Sequence, residues 1–314
     1  MKIIAISGSQ DTAPRGTVNR QEEIDMAFAR ILVLGATGRI GAILRAHWPE
    51  GRGLWQARPG RAGAGDGWLI GDPLADPARI AGQCGDVAAV LGLAGVTPTR
   101  RRSGDDMADN IGLGLAAVRL GAALGAPVLL ASSAAVYGVG HRMVHGAQAG
   151  LLTETLPPHP VTDYGRAKAE MEARAADLGA ALGVAVCALR IGNIAGADAI
   201  LGGWRPGFTL DRFADGHTPR RSYIGPVTLA RVLERLCLIP DLPGLLNIAA
   251  PGVVEMGALL DAAGLAWVPR PAPDGAIAQV ALDVTGLCDL LPLVPATAAS
   301  LVAEWRGLAQ DRAG

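Results

Sequence analysis

The chain has 314 residues, 50% of them hydrophobic, and a formal net charge of −1. That is enough apolar content for one large α/β domain or a domain with a lobe. The near-neutral balance, with Arg100-Arg101-Arg102 as an isolated basic cluster, argues against a nucleic-acid partner. The cysteines Cys84, Cys187, Cys237 and Cys288 lie far apart with no Cys-x-x-Cys pair, so neither a zinc site nor a disulfide framework is expected, and a reducing cytoplasm fits. No apolar run reaches the ~18 residues of a membrane helix.

Residues 1–28 read as an N-terminal extension or leader. Met1 to Gly8 has a strand and a Gly-Ser turn, but no helix or sheet of its own to make a nucleotide site. From Arg30 onward strand and helix patterns alternate, which predicts a doubly wound parallel sheet with helices on both faces. Strands are expected near 31–34, 53–57, 68–70, 87–93, 126–131, 185–190 and 244–248. Helices are expected near 39–47, 105–124, 163–182 and 226–238. The Gly- and Pro-rich stretches 59–67, 138–160 and 195–220 read as loops, and the last two are long enough to build a substrate side. Residues 251–314 mix short helices with the segment Pro269 to Pro273 and read as part of a smaller lobe.

The run Ile31–Leu34 leads directly into Gly35-Ala36-Thr37-Gly38-Arg39-Ile40-Gly41. In such a turn the first glycine permits the tight bend, the second lets backbone approach a pyrophosphate, and the third lets the helix pack close to the sheet. The helix N-terminus then offers unpaired N–H groups and its positive dipole end to the phosphates. At the end of the second strand, where NAD-binding folds place a carboxylate for the ribose 2′-hydroxyl, this chain has Arg58 and no acid until Asp66. With Arg39 inside the turn, two guanidinium groups favour a 2′-phosphate. NADP is therefore expected ahead of NAD. Further on, Gly92, Ala94 and Gly95 are small enough for backbone to lie against a ribose.

Tyr164 and Lys168 stand four apart on an expected helix, hence on one face. A phenol is a poor base at pH 7, and a nearby ammonium should lower its pKa. Upstream lies Ser132-Ser133-Ala134-Ala135-Val136-Tyr137-Gly138, where strand alternation sends the two serines to opposite faces. His141 and His145 sit in the loop over this region without a third ligand, so no metal is expected.

The glycine turn, the Ser-x-x-Val-Tyr-Gly segment and Tyr-x-x-x-Lys, in this order, resemble the extended short-chain dehydrogenase/reductase family, the branch of NAD-dependent epimerases and dehydratases. The resemblance spans nearly all of residues 30–270. It implies a Rossmann core over 29–196, with 226–250 returning to its sheet, and a C-terminal substrate lobe from 197–225 and 251–314. It implies Ser133, Tyr164 and Lys168 as the catalytic set, with Ser133 holding the reacting oxygen and Lys168 also binding the nicotinamide ribose. Asp72 would accept from the adenine amino group and Asn110 would steady backbone and water. Ala94 would lie against the ribose, and Thr37 and Ile40 would join the glycines, Arg39 and Arg58 around the dinucleotide. On the substrate side Asn193 matches the asparagine that contacts a diphosphate. Arg221, in Arg221-Ser222-Tyr223-Ile224, matches the arginine that pairs with a nucleotide-sugar pyrophosphate. The resemblance also implies a homodimer through helices 105–124 and 163–182, with small residues such as Ala116, Ala117, Ala122, Ala173 and Ala176 allowing close approach.

The departures are informative. Ala134 and Ala135 stand where the 4,6-dehydratases carry Asp-Glu, and water elimination needs that extra acid and base. What remains is the minimum set for hydride and proton transfer. An NAD(P)-dependent sugar epimerase or keto-reductase on a nucleotide-linked sugar is expected. Oxidation or reduction of a non-sugar alcohol or ketone is the alternative. A dinucleotide-binding regulator without chemistry is a third reading, and the Tyr-x-x-x-Lys pair counts against it.

Overall fold

The computed structural model describes residues 29–61, 63, 65–96, 106–138 and 150–310. The extension 1–28, the Arg100–Arg102 cluster, His141 and His145 lie outside them. The chain enters the core at β1 (Ile31–Leu34), followed by α1 (Arg39–His47), β2 (Gly53–Ala57), β3 (Trp68–Ile70) and α2 (Pro77–Cys84). Then come β4 (Ala89–Gly92), α3 (Asp109–Leu124), β5 (Val128–Ser133), a 3-10 turn at Ala134–Tyr137, α4 (Asp163–Leu182) and β6 (Val186–Ile191). After short pieces β7 (Asn193–Ile194), β8 (Thr209–Arg212), β9 (Arg220–Arg221) and β10 (Tyr223–Ile224), the chain returns through α5 (Pro226–Leu236) to β11 (Leu245–Ile248). It ends with β12 (Val254–Glu255), α6 (Met256–Ala262), β13 (Val268–Pro271), β14 (Gln279–Val280), α7 (Thr285–Leu290) and α8 (Ala298–Gln310).

The central sheet has the order β3-β2-β1-β4-β5-β6-β11, and every neighbouring pair is parallel. Its order reverses between β1 and β4, which opens a crevice at the carboxyl ends there. Alternation along β1 shows why the sheet is covered twice. Ile31 and Val33 pack with α1 and α5, while Leu32 and Leu34 pack with α2, α3 and α4. The expected doubly wound sheet is present.

Helix boundaries follow their caps. Thr162 accepts from the Gly165 N–H at 3.1 Å and Gly183 closes α4 in the left-handed region, so α4 runs where its pattern predicts. Helix α2 was not expected, although Asp76 caps it from the Arg79 N–H and Pro77 occupies its first turn. Strand β5 runs two residues further than expected and carries both serines.

The other short strands form three small sheets: β7 with β10, β9 with β12 and β14, and β8 with β13. The 195–220 stretch, read as loop, therefore contains β8, and the proline-containing β13 is its parallel partner. A separate apolar cluster joins Leu210, Tyr223, Leu259, Leu260, Leu301 and Val302 beneath these pieces. On α3, Ala116 and Ala117 are buried within the chain, whereas Ala173 and Ala176 on α4 are exposed. Ala122 is half-buried, so Ala173 and Ala176 are the most open of the five to another subunit.

Candidate active site

A cleft of about 810 Å³ opens at the carboxyl ends of β1, β4, β5 and β6. On one side the glycine turn wraps the end of β1. Gly35 has φ of 77°, and a Cβ there would lie 2.6 Å from the Ala94 backbone. At Gly41 a Cβ would lie 2.2 Å from the Ala36 carbonyl oxygen, so α1 can approach the strand only with glycine there. Gly38 caps α1 without a side-chain acceptor, and the first N–H groups of the helix face the cleft. Thr37, Arg39 and Ile40 complete this wall, and the Arg39 guanidinium donates across the cleft to the Ala197 carbonyl.

Arg58 and Asp72 line the far end of the cleft. Arg58 is exposed, while one Asp72 oxygen accepts from the Leu74 N–H at 2.9 Å and shapes the turn there. Gln56 was not singled out in the sequence. It is buried, accepts from Gly35 N–H at 2.9 Å, and donates to the Gly71 carbonyl at 2.7 Å, tying together the ends of three strands. Its signal was a polar residue at an inward position of β2.

Asn110 is fully buried on α3, not a surface residue, and donates to the Val96 and Met107 carbonyls at 3.0 Å. Among the described residues its Oδ1 has no partner, and a Cβ on Gly95 would meet it at 2.5 Å and the Lys168 Nζ at 3.3 Å. Bare backbone at Gly35, Ala94 and Gly95, an uncapped helix start and an orphaned acceptor form a cradle that fits a dinucleotide.

The catalytic candidates meet beside this cradle. Ser133 ends β5 and accepts from the Ala135 N–H at 3.2 Å, and its hydroxyl acts to lower the pKa of the Tyr164 phenol. Lys168, 4% exposed, donates to the Ala131 carbonyl at 2.8 Å, and its Nζ is 5.9 Å from the Tyr164 ring centre. Burial pulls the Lys168 ammonium down to about 8, partly opposed by the charge of Glu172. The Tyr164 phenol is pushed above its usual value by burial, which outweighs the Ser133 hydrogen bond. This corrects the expectation that the neighbouring ammonium lowers it: at the observed spacing desolvation dominates. Tyr164 thus keeps its phenol proton at neutral pH. Lys168 is also one of only two lysines in the chain, the other being Lys2.

On the substrate side Asn193 lines the cleft. Arg221 does not line it. Its guanidinium donates to the Arg220 carbonyl at 2.7 Å and the Ile277 carbonyl at 3.0 Å, and burial lowers its pKa. Asp198 does line the cleft and was missed, because the segment read as loop. It accepts from the Tyr223 hydroxyl and the Leu201 N–H, both at 3.0 Å, and burial raises its pKa. Among the described residues no cluster of three or more His, Cys, Asp or Glu could hold a metal, and no helix is long and apolar enough to cross a membrane.

Solved structures share this architecture. UDP-glucose-4-epimerase from Stenotrophomonas maltophila, with bound NAD and formylated UDP-arabinopyranose, is 20% identical with a TM-score of 0.69, over 91% of this chain and 100% of that one. UDP-glucose 4-epimerase from Bifidobacterium longum, with NAD+ and UDP, is 18% identical with a TM-score of 0.68, over 90% and 99%. A dTDP-glucose 4,6-dehydratase from Streptomyces venezuelae is 20% identical with a TM-score of 0.65, over 88% and 97%. At these identities the likeness is one of fold. No curated protein matches the chain. The model of the NAD dependent epimerase/dehydratase family matches residues 31–203, more than half of the chain. That span takes in the glycine turn, Ser133, Tyr164 and Lys168, and the chain belongs to this family of extended short-chain dehydrogenase/reductase enzymes.

Proposed function

We propose that the chain is an epimerase or keto-reductase of a nucleotide-linked sugar, with Tyr164 as its proton-transfer group. One observation carries this: Ser133, Tyr164 and Lys168 line the same cleft as the glycine turn, while the next two positions are Ala134 and Ala135. A bound nicotinamide would supply or accept the hydride. Ser133 would hold the reacting oxygen, Tyr164 would give or take its proton, and Lys168 would stabilise the phenolate so formed. With alanines after Ser133, the acid and base that water elimination would use at those two positions are missing.

Arg58 at the cleft's far end supports NADP as the preferred dinucleotide, with NAD as the other candidate. A homodimer through the outer face of α4 accompanies this reading, and the exposed Ala173 and Ala176 support it. The position of Arg221 outside the cleft lining favours a second reading, oxidoreduction of a non-sugar alcohol or ketone, because no guanidinium is then offered to a diphosphate from that position. Both are tested by incubating the protein with NAD or NADP and UDP-glucose, UDP-galactose and their N-acetyl forms. Sugar interconversion or dinucleotide reduction that is lost in Tyr164→Phe is the expected result. Inactivity on every nucleotide sugar, with turnover of simple ketones by NADPH, selects the second reading.

A further inference from the structure

Behind the catalytic residues lies a buried polar group that the reaction as described does not use. Glu172 follows Lys168 by four residues on α4, as Lys168 follows Tyr164, so the three share one helix face. That face meets three successive residues of β5. Lys168 reaches the Ala131 carbonyl, Glu172 accepts from the Ser132 hydroxyl at 2.5 Å, and Tyr164 lines the same cleft as Ser133. Glu172 is 7% exposed and Arg190 is 2% exposed. Arg190, the β6 neighbour of Ser132 in the sheet, donates to both Glu172 oxygens, with Nη2 at 2.7 Å and Nε at 3.1 Å. On its other side Arg190 stacks over the Tyr137 ring at 4.7 Å. The pair is costly to bury, and replacing it with apolar residues is often neutral for stability, so its presence calls for another reason.

The geometry points to Glu172 as a positioning residue of this active site: through Ser132 it holds the end of β5 that carries Ser133, and one helical turn on from Lys168 it sets a buried negative charge behind that ammonium. This rests on the reading of Tyr164 and Lys168 as the proton-transfer pair. Lys168 makes no direct ion pair among the described residues and donates instead to a carbonyl. Glu172 is the anion acting on it and opposes the desolvation that draws it down. The ionisable groups around it are Tyr164 and Glu172 on its own helix, and behind Glu172 Arg190 on β6 and Tyr137 in the 3-10 turn. Bidentate pairing with Arg190 and the Ser132 hydroxyl hold the Glu172 carboxylate in place in turn.

With only two lysines in the chain, the full-length protein labelled with ¹³C-lysine gives two side-chain signals, and a Lys2→Arg variant assigns them. The expected result is that Glu172→Gln moves the Lys168 titration midpoint down by about one pH unit. The pH–rate profile of whatever nucleotide sugar proves active should move with it, and Glu172→Asp should restore both. If Glu172→Gln does not fold because Arg190 is left unpaired, Glu172→Gln with Arg190→Gln removes both charges. Arg190 is a cation opposing Glu172, so the downward shift in this double variant is expected to be smaller. A midpoint that stays at its wild-type value in a folded variant overturns the inference, and so does a shifted midpoint with an unmoved pH–rate profile. Should Tyr164→Phe remain fully active, the proposed function fails, and the lysine titration still decides whether Glu172 governs Lys168.

Discussion

The two sides of the cleft are built on different principles. The dinucleotide side is mostly backbone: a glycine turn, an uncapped helix start and small residues at the end of β4, the strand beside β1 in the sheet. Its geometry depends on local φ/ψ freedom and on contacts a Cβ would block. The opposite wall, with Asn193, Ile194 and the 197–199 stretch, rests on β7, β10 and C-terminal pieces that meet only through tertiary packing. Backbone recognition is therefore compatible with one chemistry over many relatives, while side chains from distant segments set what is bound opposite it.

The sharpest way to separate the sides is to disable chemistry without disturbing the cradle. Tyr164→Phe is expected to lower turnover about 10²–10⁴-fold while leaving dinucleotide affinity nearly unchanged, as read by steady-state kinetics beside a binding titration. Weakened binding would mean that the two functions are not separable at this residue. Damage to the cradle itself should appear as lost stability. Gly41→Ala places a Cβ against the Ala36 backbone, and a loss of about 1–3 kcal/mol is expected by chemical denaturation, together with poorer dinucleotide binding.

A smaller effect tests selectivity at the cleft's outer end. Arg58→Ala should reduce NADP affinity about tenfold, as one charge-assisted contact predicts, with NAD affinity unchanged. Tighter NAD binding by the unaltered protein would remove the proposed preference and favour an epimerase holding NAD. The smallest expected change concerns the cost of burying Lys168. Its folded midpoint near 8 lies below the ordinary 10.5. A buried cation lowered in this way destabilises the fold fully below pH 8, and the penalty is relieved as pH rises toward 10.5. Lys168→Met should therefore stabilise the protein at pH 7 by roughly 1 kcal/mol, with the advantage shrinking between pH 8 and 10.5. A constant difference across that range would show that packing, not charge, is responsible.

The sequence alone determined the parts whose chemistry is local. Gly35-x-x-Gly38-x-x-Gly41 after an apolar strand specifies a phosphate turn, because only glycine tolerates those contacts. Tyr164-x-x-x-Lys168 specifies a shared helix face, because helical spacing is fixed. The alternation of strand and helix specified the doubly wound sheet. Helix α2 was legible in Asp76-Pro77 but overlooked, and β8 and β13 were not legible, since each strand exists only by pairing with a segment some sixty residues away. Only the tertiary structure decided that Gln56 ties three strand ends, that Asp198 faces the cleft, that Arg221 donates to carbonyls outside it, and that Glu172 and Arg190 lie paired behind Lys168. The physical reason is the same in each case: a polar side chain's role is set by what it meets across strands, and its burial, which shifts Tyr164 upward and Lys168 downward, exists only once the layers have closed.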